Sequence, residues 1–256
     1  HYSDLRGVPA LREALAAKLR KQNKLDVGPD DVLVTNGLTH ASFAAFFAIL
    51  DEGDEVILLS PHYPQHIGKI ELAGAHPVLV PLNKEQGFAI DAQAIEAAIT
   101  PRTRMVVLVN PANPTGRVYR RSELEALAQL AIKHDLVVVS DEVYDTQIWS
   151  GEHISPRSLP GMADQTFVIG SMSKSHAMTG WRVGWIIGPE AAIEKVLDLS
   201  TINTYGVPGF IQDAATFALT NGDALEHQVA DVFRTRLHLA QDILAGENHI
   251  RLIPAQ

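Results

Sequence analysis

The chain has 256 residues, 46% hydrophobic and 20% charged, with no cysteine. That length permits one large α/β domain or one domain with part of a second, and the absence of thiols excludes disulfides and thiolate metal sites. The 21 Lys and Arg against 30 Asp and Glu give a formal net charge of −9 without a basic run, which argues against nucleic-acid and anionic-membrane partners.

The opening His1-Tyr2-Ser3-Asp4 has neither a basic start nor an apolar core. It reads as the approach to a helix, with an N-terminal segment expected ahead of it and a cytoplasmic location for the whole. Residues 9–21 place Leu11, Leu15 and Leu19 at helical spacing, with Pro9 in the first turn, which predicts an amphipathic helix. Strand-like runs follow at 32–35, 55–59, 78–81, 104–109, 136–140, 166–170 and 183–187. Helical patterns lie between most of them, at 39–50, 91–99, 121–134 and 189–199. The longest apolar stretch, 41–50, falls well short of the roughly 18 residues that span a bilayer. Residues 151–164 carry Pro156, Pro160 and two glycines and read as a long polar loop; from Ala224 the pattern is helical through Leu244. Several runs, such as 105–109, are continuously apolar, as strands covered on both faces are. The alternation predicts an α/β fold. Residues 1–222 would form a mostly parallel sheet of about seven strands flanked by helices, and residues 223–256 an incomplete second, smaller α/β domain.

In such a sheet, ligands collect beyond the carboxyl ends of the strands. After 32–35 comes Asn36-Gly37-Leu38-Thr39, a glycine turn opening a helix whose free N–H groups suit a phosphate. After 104–109 comes Asn110-Pro111-Ala112-Asn113-Pro114-Thr115-Gly116, which by itself is equally a tight turn. After 136–140 come Asp141-Glu142-Val143-Tyr144, and a carboxylate ending a buried strand needs a cation or donor. After 166–170 come Ser171-Met172-Ser173-Lys174 and then Gly180-Trp181-Arg182-Val183-Gly184. Together these make an anion seat (Gly37, Thr39, Ser171, Arg182), a nucleophilic lysine, an acid and a polar clamp, which is the inventory that pyridoxal phosphate requires.

The run from Ser171 through Lys174 to Gly184 is similar to the cofactor-lysine signature of the class I/II aminotransferases, the aspartate aminotransferase fold among pyridoxal-phosphate enzymes (fold type I). Asn113-Pro-Thr-Gly116 and Asp141-Glu-Val-Tyr144 match two more of its signatures, in order, and the opening from Tyr2 to Arg12 resembles the approach to the family's first large-domain helix. The resemblance implies that Lys174 forms the internal aldimine and moves the Cα proton, and that Asp141 holds the pyridine nitrogen protonated. It implies that Asn113 and Tyr144 bond the ring oxygen and that Tyr63 stacks on the ring. It further implies that Gly37, Leu38, Thr39, Ser171, Ser173 and Arg182 seat the phosphate. Tyr2 resembles a tyrosine that reaches the neighbour's phosphate in a homodimer with shared sites, and Arg251, in His-Ile-Arg-Leu, resembles the substrate-carboxylate arginine, with Asn113 beside it. Glu247 runs into that motif without the small-domain sheet that the family carries there, so segments are expected to be missing between them.

The implied activity is transfer of an amino group from an L-amino acid to a 2-oxo acid. The loop at 151–164 and the Ser175-His176-Ala177-Met178 run resemble arginine–pyruvate aminotransferase-like members, with neutral, aromatic and acidic donors left open. A C–S lyase, decarboxylase or synthase of the same fold shares the motifs and stays open as well. The Ser171-x-x-Lys174 spacing formally matches penicillin-binding enzymes but lacks their Lys-Thr-Gly companion. No metal site is expected, since Pro64 prevents one helix from aligning His62 with His66.

Overall fold

A computed structural model describes every residue of the chain except 248, 251 and 254. In chain order the elements are α1 (Pro9–Gln22), β1 (Leu33–Thr35), α2 (Gly37–Ile49), β2 (Glu55–Ser60), α3 (Gln65–Leu72), β3 (His76–Pro81), α4 (Ala92–Ala98), β4 (Thr103–Val109), α5 (Arg121–His134), β5 (Val137–Asp141), β6 (Thr166–Ser171), α6 (Met172–Ser175), β7 (Gly184–Ile187), α7 (Glu190–Asn203), α8 (Gly209–Asn221) and α9 (Asp223–Leu244). The strands form one seven-stranded sheet in the order β1-β7-β6-β5-β4-β2-β3. Neighbours pair in parallel except at β7, which runs against both β1 and β6. The chain is therefore α/β with a mostly parallel sheet.

The continuous apolar runs are explained by cover on both faces. Ile57, Leu59, Val106, Leu108 and Val138 pack under α4 and α5, while Val56, Leu58, Met105, Val107 and Val139 face α2, α3 and α7. At the other end of the sheet Leu11, Leu15 and Leu19 of α1 close over Val34, Val168, Trp185 and Ile187 together with α8. Truncating one such side chain to alanine typically costs about 2–5 kcal/mol.

Two helices are invisible to periodicity for physical reasons. α3 is only eight residues long and starts directly after Pro64. α8 inverts the usual pattern: Phe210 and Phe217 are 71% and 70% exposed, whereas Gln212 is fully buried. The Gln212 amide accepts from Val8 N (2.7 Å) and donates to Val207 O (2.7 Å) and Ser3 Oγ (3.1 Å), fastening the N-terminal arm to α8. The stretch 151–164 is not the solvated loop that its prolines suggest. His153, Ile154, Ser155, Pro156, Leu159 and Met162 are buried around a 3-10 turn at Pro156–Ser158, because three of them complete the core beside α5. Among the described residues no helix is long and apolar enough to cross a membrane.

Candidate active site

Parallel strands bring their carboxyl ends to one edge, and there lies a cavity of about 230 Å³. Leu38 and Thr39 enter it from the first turn of α2, Val109 and Asn113 from the end of β4, and Asp141, Val143 and Tyr144 from the end of β5. Ser171, Ser173 and Lys174 come from β6 and α6, Thr179 and Arg182 from the turn before β7, and Tyr63 from the segment before α3. Ser171 caps α6, its Oγ accepting from Ser173 N at 3.4 Å, which starts the single helical turn that carries Lys174.

One end of the cavity suits an anion. Gly37 sits at φ +77°, and a Cβ there would lie 2.5 Å from Arg182 Nη2, so the guanidinium rests against bare backbone at the N-terminus of α2. Arg182 Nη1 also donates to Thr179 O at 2.9 Å. Gly184 permits this approach from below. A Cβ at that position would lie 2.6 Å from Gly170 O, 2.8 Å from Gly37 C and 2.9 Å from Leu38 N, all backbone atoms that cannot swing aside. Gly184→Ala is accordingly expected to destabilise the fold by about 1–3 kcal/mol and to weaken inorganic phosphate binding. Thermal melts and isothermal titration with phosphate check both effects.

The cavity also holds a buried acid. Asp141 is 2% exposed, and its Oδ1 accepts from Val143 N at 3.2 Å. Burial first, and then the charge of Asp141, raise the phenols of Tyr63 and Tyr144 above the ordinary tyrosine value; Arg182 opposes this at Tyr63 and a hydrogen bond with Asn113 opposes it at Tyr144. Both rings therefore remain neutral donors at neutral pH.

The sequence reading overlooked what stands behind Asp141. The His66 side chain is fully buried, its Nε2 lies 3.5 Å from Asp141 Oδ2, and neither ring nitrogen has a hydrogen-bond partner among the described residues. The ring packs edge-on to Tyr63 (5.4 Å) and tilted against Phe46 (5.9 Å). On the same helix Lys69, also buried, donates to Ser42 Oγ at 2.7 Å; burial brings its pKa down to about 8 against the pull of Asp141. In the sequence His66 showed only as a neighbour of His62, and nothing in its spacing signals a place behind the acid. His66→Phe keeps the ring contacts and removes two orphaned nitrogens. It is expected to hold or raise the melting temperature while lowering turnover by roughly threefold to tenfold through loss of the group facing Asp141, as steady-state kinetics beside calorimetry would read.

Leu38, Thr39, Tyr63, Asn113, Asp141, Tyr144, Ser171, Ser173, Lys174 and Arg182 all line the one cavity, and Gly37 abuts its guanidinium. Tyr2 does not line it: its ring is 82% exposed and meets Tyr205 edge-on at 4.7 Å. The expectation for Arg251 falls outside the described residues. An amine, a buried carboxylate and a guanidinium-and-hydroxyl seat set apart in one cavity fit pyridoxal phosphate, whose aldehyde, ring nitrogen and phosphate make those three demands.

The family model for aminotransferase class I and II matches residues 1–251. Among curated proteins, the chain is 43% identical over 251 residues to arginine–pyruvate transaminase of Pseudomonas aeruginosa, covering 98% of this chain and 64% of that protein. It is 43% identical over 254 residues to a probable aspartate/prephenate aminotransferase of Thermus aquaticus, covering 98% and 65%. A solved structure of a Thermus thermophilus aspartate aminotransferase double mutant superposes with a TM-score of 0.95 at 38% identity, covering all of this chain and 67% of that one. The chain thus spans slightly under two thirds of the curated relatives' length, and the residues matched by the family include the whole sheet and the cavity. It belongs to the class I and II aminotransferases.

Proposed function

We propose that the protein transfers an amino group from an L-amino acid to a 2-oxo acid in two half-reactions, with Lys174, Asp141 and Tyr144 as its catalytic residues. The observation that carries this is the cavity itself, in which the buried Asp141 at the end of β5, the amine of Lys174 after β6 and Arg182 before β7 come together. Pyridoxal 5′-phosphate is the cofactor that family membership implies. When bound, it supplies a carbonyl for amines and a ring that draws electrons from the substrate Cα.

The chain's own residues account for the rest. Lys174 would hold the aldehyde carbon and, once released by substrate, carry the Cα proton. Asp141 would keep a proton on the ring nitrogen, with Asn113 and Tyr144 donating to the ring oxygen and Tyr63 covering the ring face. Gly37, Leu38, Thr39, Ser171, Ser173 and Arg182 would hold the phosphate, the fork of Arg182 giving paired hydrogen bonds that a lysine could not. Arg251 and Asn113 would grip the substrate carboxylate.

The working form in this reading is a cytoplasmic homodimer. Tyr2, Ile202, Tyr205 and Phe210 are exposed apolar or aromatic residues at the N-terminal arm and the α7–α8 junction, which supports a partner there, with Tyr2 reaching the partner's phosphate seat. Residues 1–222 would be the cofactor domain and 223–256 the start of a smaller one. In support, α9 buries only Ala230 and exposes Leu225, Val232, Phe233, Leu239 and Ile243. Arginine leads the candidate donors and aspartate follows, after the substrates for which the two relatives are named. A donor screen against pyruvate and 2-oxoglutarate tests the reading. Formation of the donor's 2-oxo acid together with alanine or glutamate supports it; release of carbon dioxide, sulfide or free ammonia without amino-acid product would contradict it.

A further inference from the structure

Beneath the turn after β5 lies a polar cluster that amino transfer, as described, does not use. Asp141 and Tyr144 line the cavity, whereas Glu142 and Asp145 of the same turn are committed to the interior. Glu142 is 2% exposed and fully satisfied. Its Oε1 accepts from Ser140 Oγ (2.9 Å) and Ser155 Oγ (2.6 Å), and its Oε2 from Asn23 Nδ2 (2.8 Å), with His153 Nε2 at 2.9 Å. Asp145 pairs with buried Lys18 of α1 and accepts from Asn23 Nδ2 at 3.0 Å. Lys18 in turn lies 5.4 Å from the Trp185 ring centroid and 3.3 Å from Asn23 Oδ1. The C-terminus of α1 and the buried segment around His153 thus grip the turn at its two acids.

Asp145 has Lys18 as its cation, and His153 is the group placed to give buried Glu142 one of its own; an unbalanced buried charge would be costly. Other titratable groups facing this region are Glu152, Glu226 and His227, which border a cavity of about 330 Å³ beside His153, His176, which feels Lys18 and Asp145, and Asp223, which acts on Glu226 and His176. Burial raises the Glu226 carboxyl above the ordinary glutamate value.

We propose that Glu142 and His153 are the clamp that fixes the Asp141–Tyr144 turn, with His153 a positioning residue that acts on the active site through Glu142. The inference rests on the reading of the adjoining cavity as the cofactor site. Burial works against the charged imidazole, but the charge and hydrogen bond of Glu142, helped by Asp145, outweigh it and raise the His153 pKa. A raised histidine pKa contributes stability that is full below the unfolded value near 6.5 and is lost as pH climbs through the folded value.

His153→Gln, which keeps an amide donor and removes the charge, tests the clamp. Hydrogen exchange at pH 7 should quicken by about tenfold or more in the amides of residues 142–147, while those of β1 and β6 keep wild-type rates. The deficit in melting temperature relative to wild type should be larger at pH 6 than at pH 9. Pyridoxal phosphate should bind about tenfold more weakly, with inorganic phosphate bound as in wild type, because the side chains of the phosphate seat come from α2, β6, α6 and the turn before β7 and none from the turn after β5. Unchanged exchange in the turn, evenly faster exchange across the sheet, equal weakening of both ligands, or a melting deficit independent of pH would each overturn the proposal. If wild-type protein bound phosphate but no pyridoxal phosphate, while the exchange and melting results held, the cofactor reading would fall and the clamp would stand.

Discussion

Replacing Lys174 by alanine is expected to lower amino transfer by at least about 10⁴-fold while leaving the melting temperature within a few degrees of wild type. Lys174 is the only lysine lining the cavity among the described residues, so no second amine stands ready to take its place. Its backbone, not its side chain, makes the local structural contact: Gln147 Nε2 donates to Lys174 O at 3.1 Å, a bond that alanine keeps. The phosphate seat also survives, since Ser171 caps α6 and Arg182 is held by Thr179 O, both independently of the lysine side chain. The variant should therefore still bind pyridoxal phosphate without the covalent link. Coupled assay of 2-oxo acid formation beside an absorbance titration separates these effects. A variant retaining more than a few per cent of wild-type turnover would remove Lys174 from its role.

Asp141→Asn should have the second largest effect, lowering turnover by about 10²–10³-fold with a smaller loss of cofactor affinity. The substitution is nearly isosteric, and the asparagine Oδ1 can still accept from Val143 N, so the turn keeps its geometry. What disappears is the buried charge. That charge adds to burial in raising the phenols of Tyr63 and Tyr144, so both should titrate at lower pH in the variant, which ultraviolet pH titration reads without any cofactor. Loss of turnover together with falling tyrosine titrations is the expected pair. Normal turnover with lowered tyrosine titrations would leave Asp141 as a local electrostatic feature without a part in the reaction.

Much of this molecule is readable from residues alone because its rules are local. Residues 121–134 read as a helix and form one over that span, and each strand run lies within a residue or two of its observed bounds, since buried parallel strands leave continuous apolar sequence. Most of the cavity side chains were legible for a related reason: they sit just past strand ends, where topology fixes the location without knowledge of packing, whereas Val109, Val143 and Thr179 carried no signal. What stayed hidden depends on contacts distant in sequence. Gln212 looks like a surface residue and is buried by Ser3 and Val8, some two hundred positions away. His66 stands behind Asp141 only because α3, packed on α2 and β3, carries it there, and the role of His153 arises from separate segments meeting at Glu142. Gly184 appeared in the motif without a reason, which the close approach of α2 to β7 supplies.

The most direct measurement is mass-spectrometric peptide mapping after the purified protein is loaded with pyridoxal phosphate and reduced with borohydride. The expected result is a yellow holo-protein, bleached on reduction, with one pyridoxyl label carried by the ε-amine of Lys174. A label placed instead on Lys69 or spread over surface lysines, or a protein that stays colourless at saturating cofactor, would contradict the account.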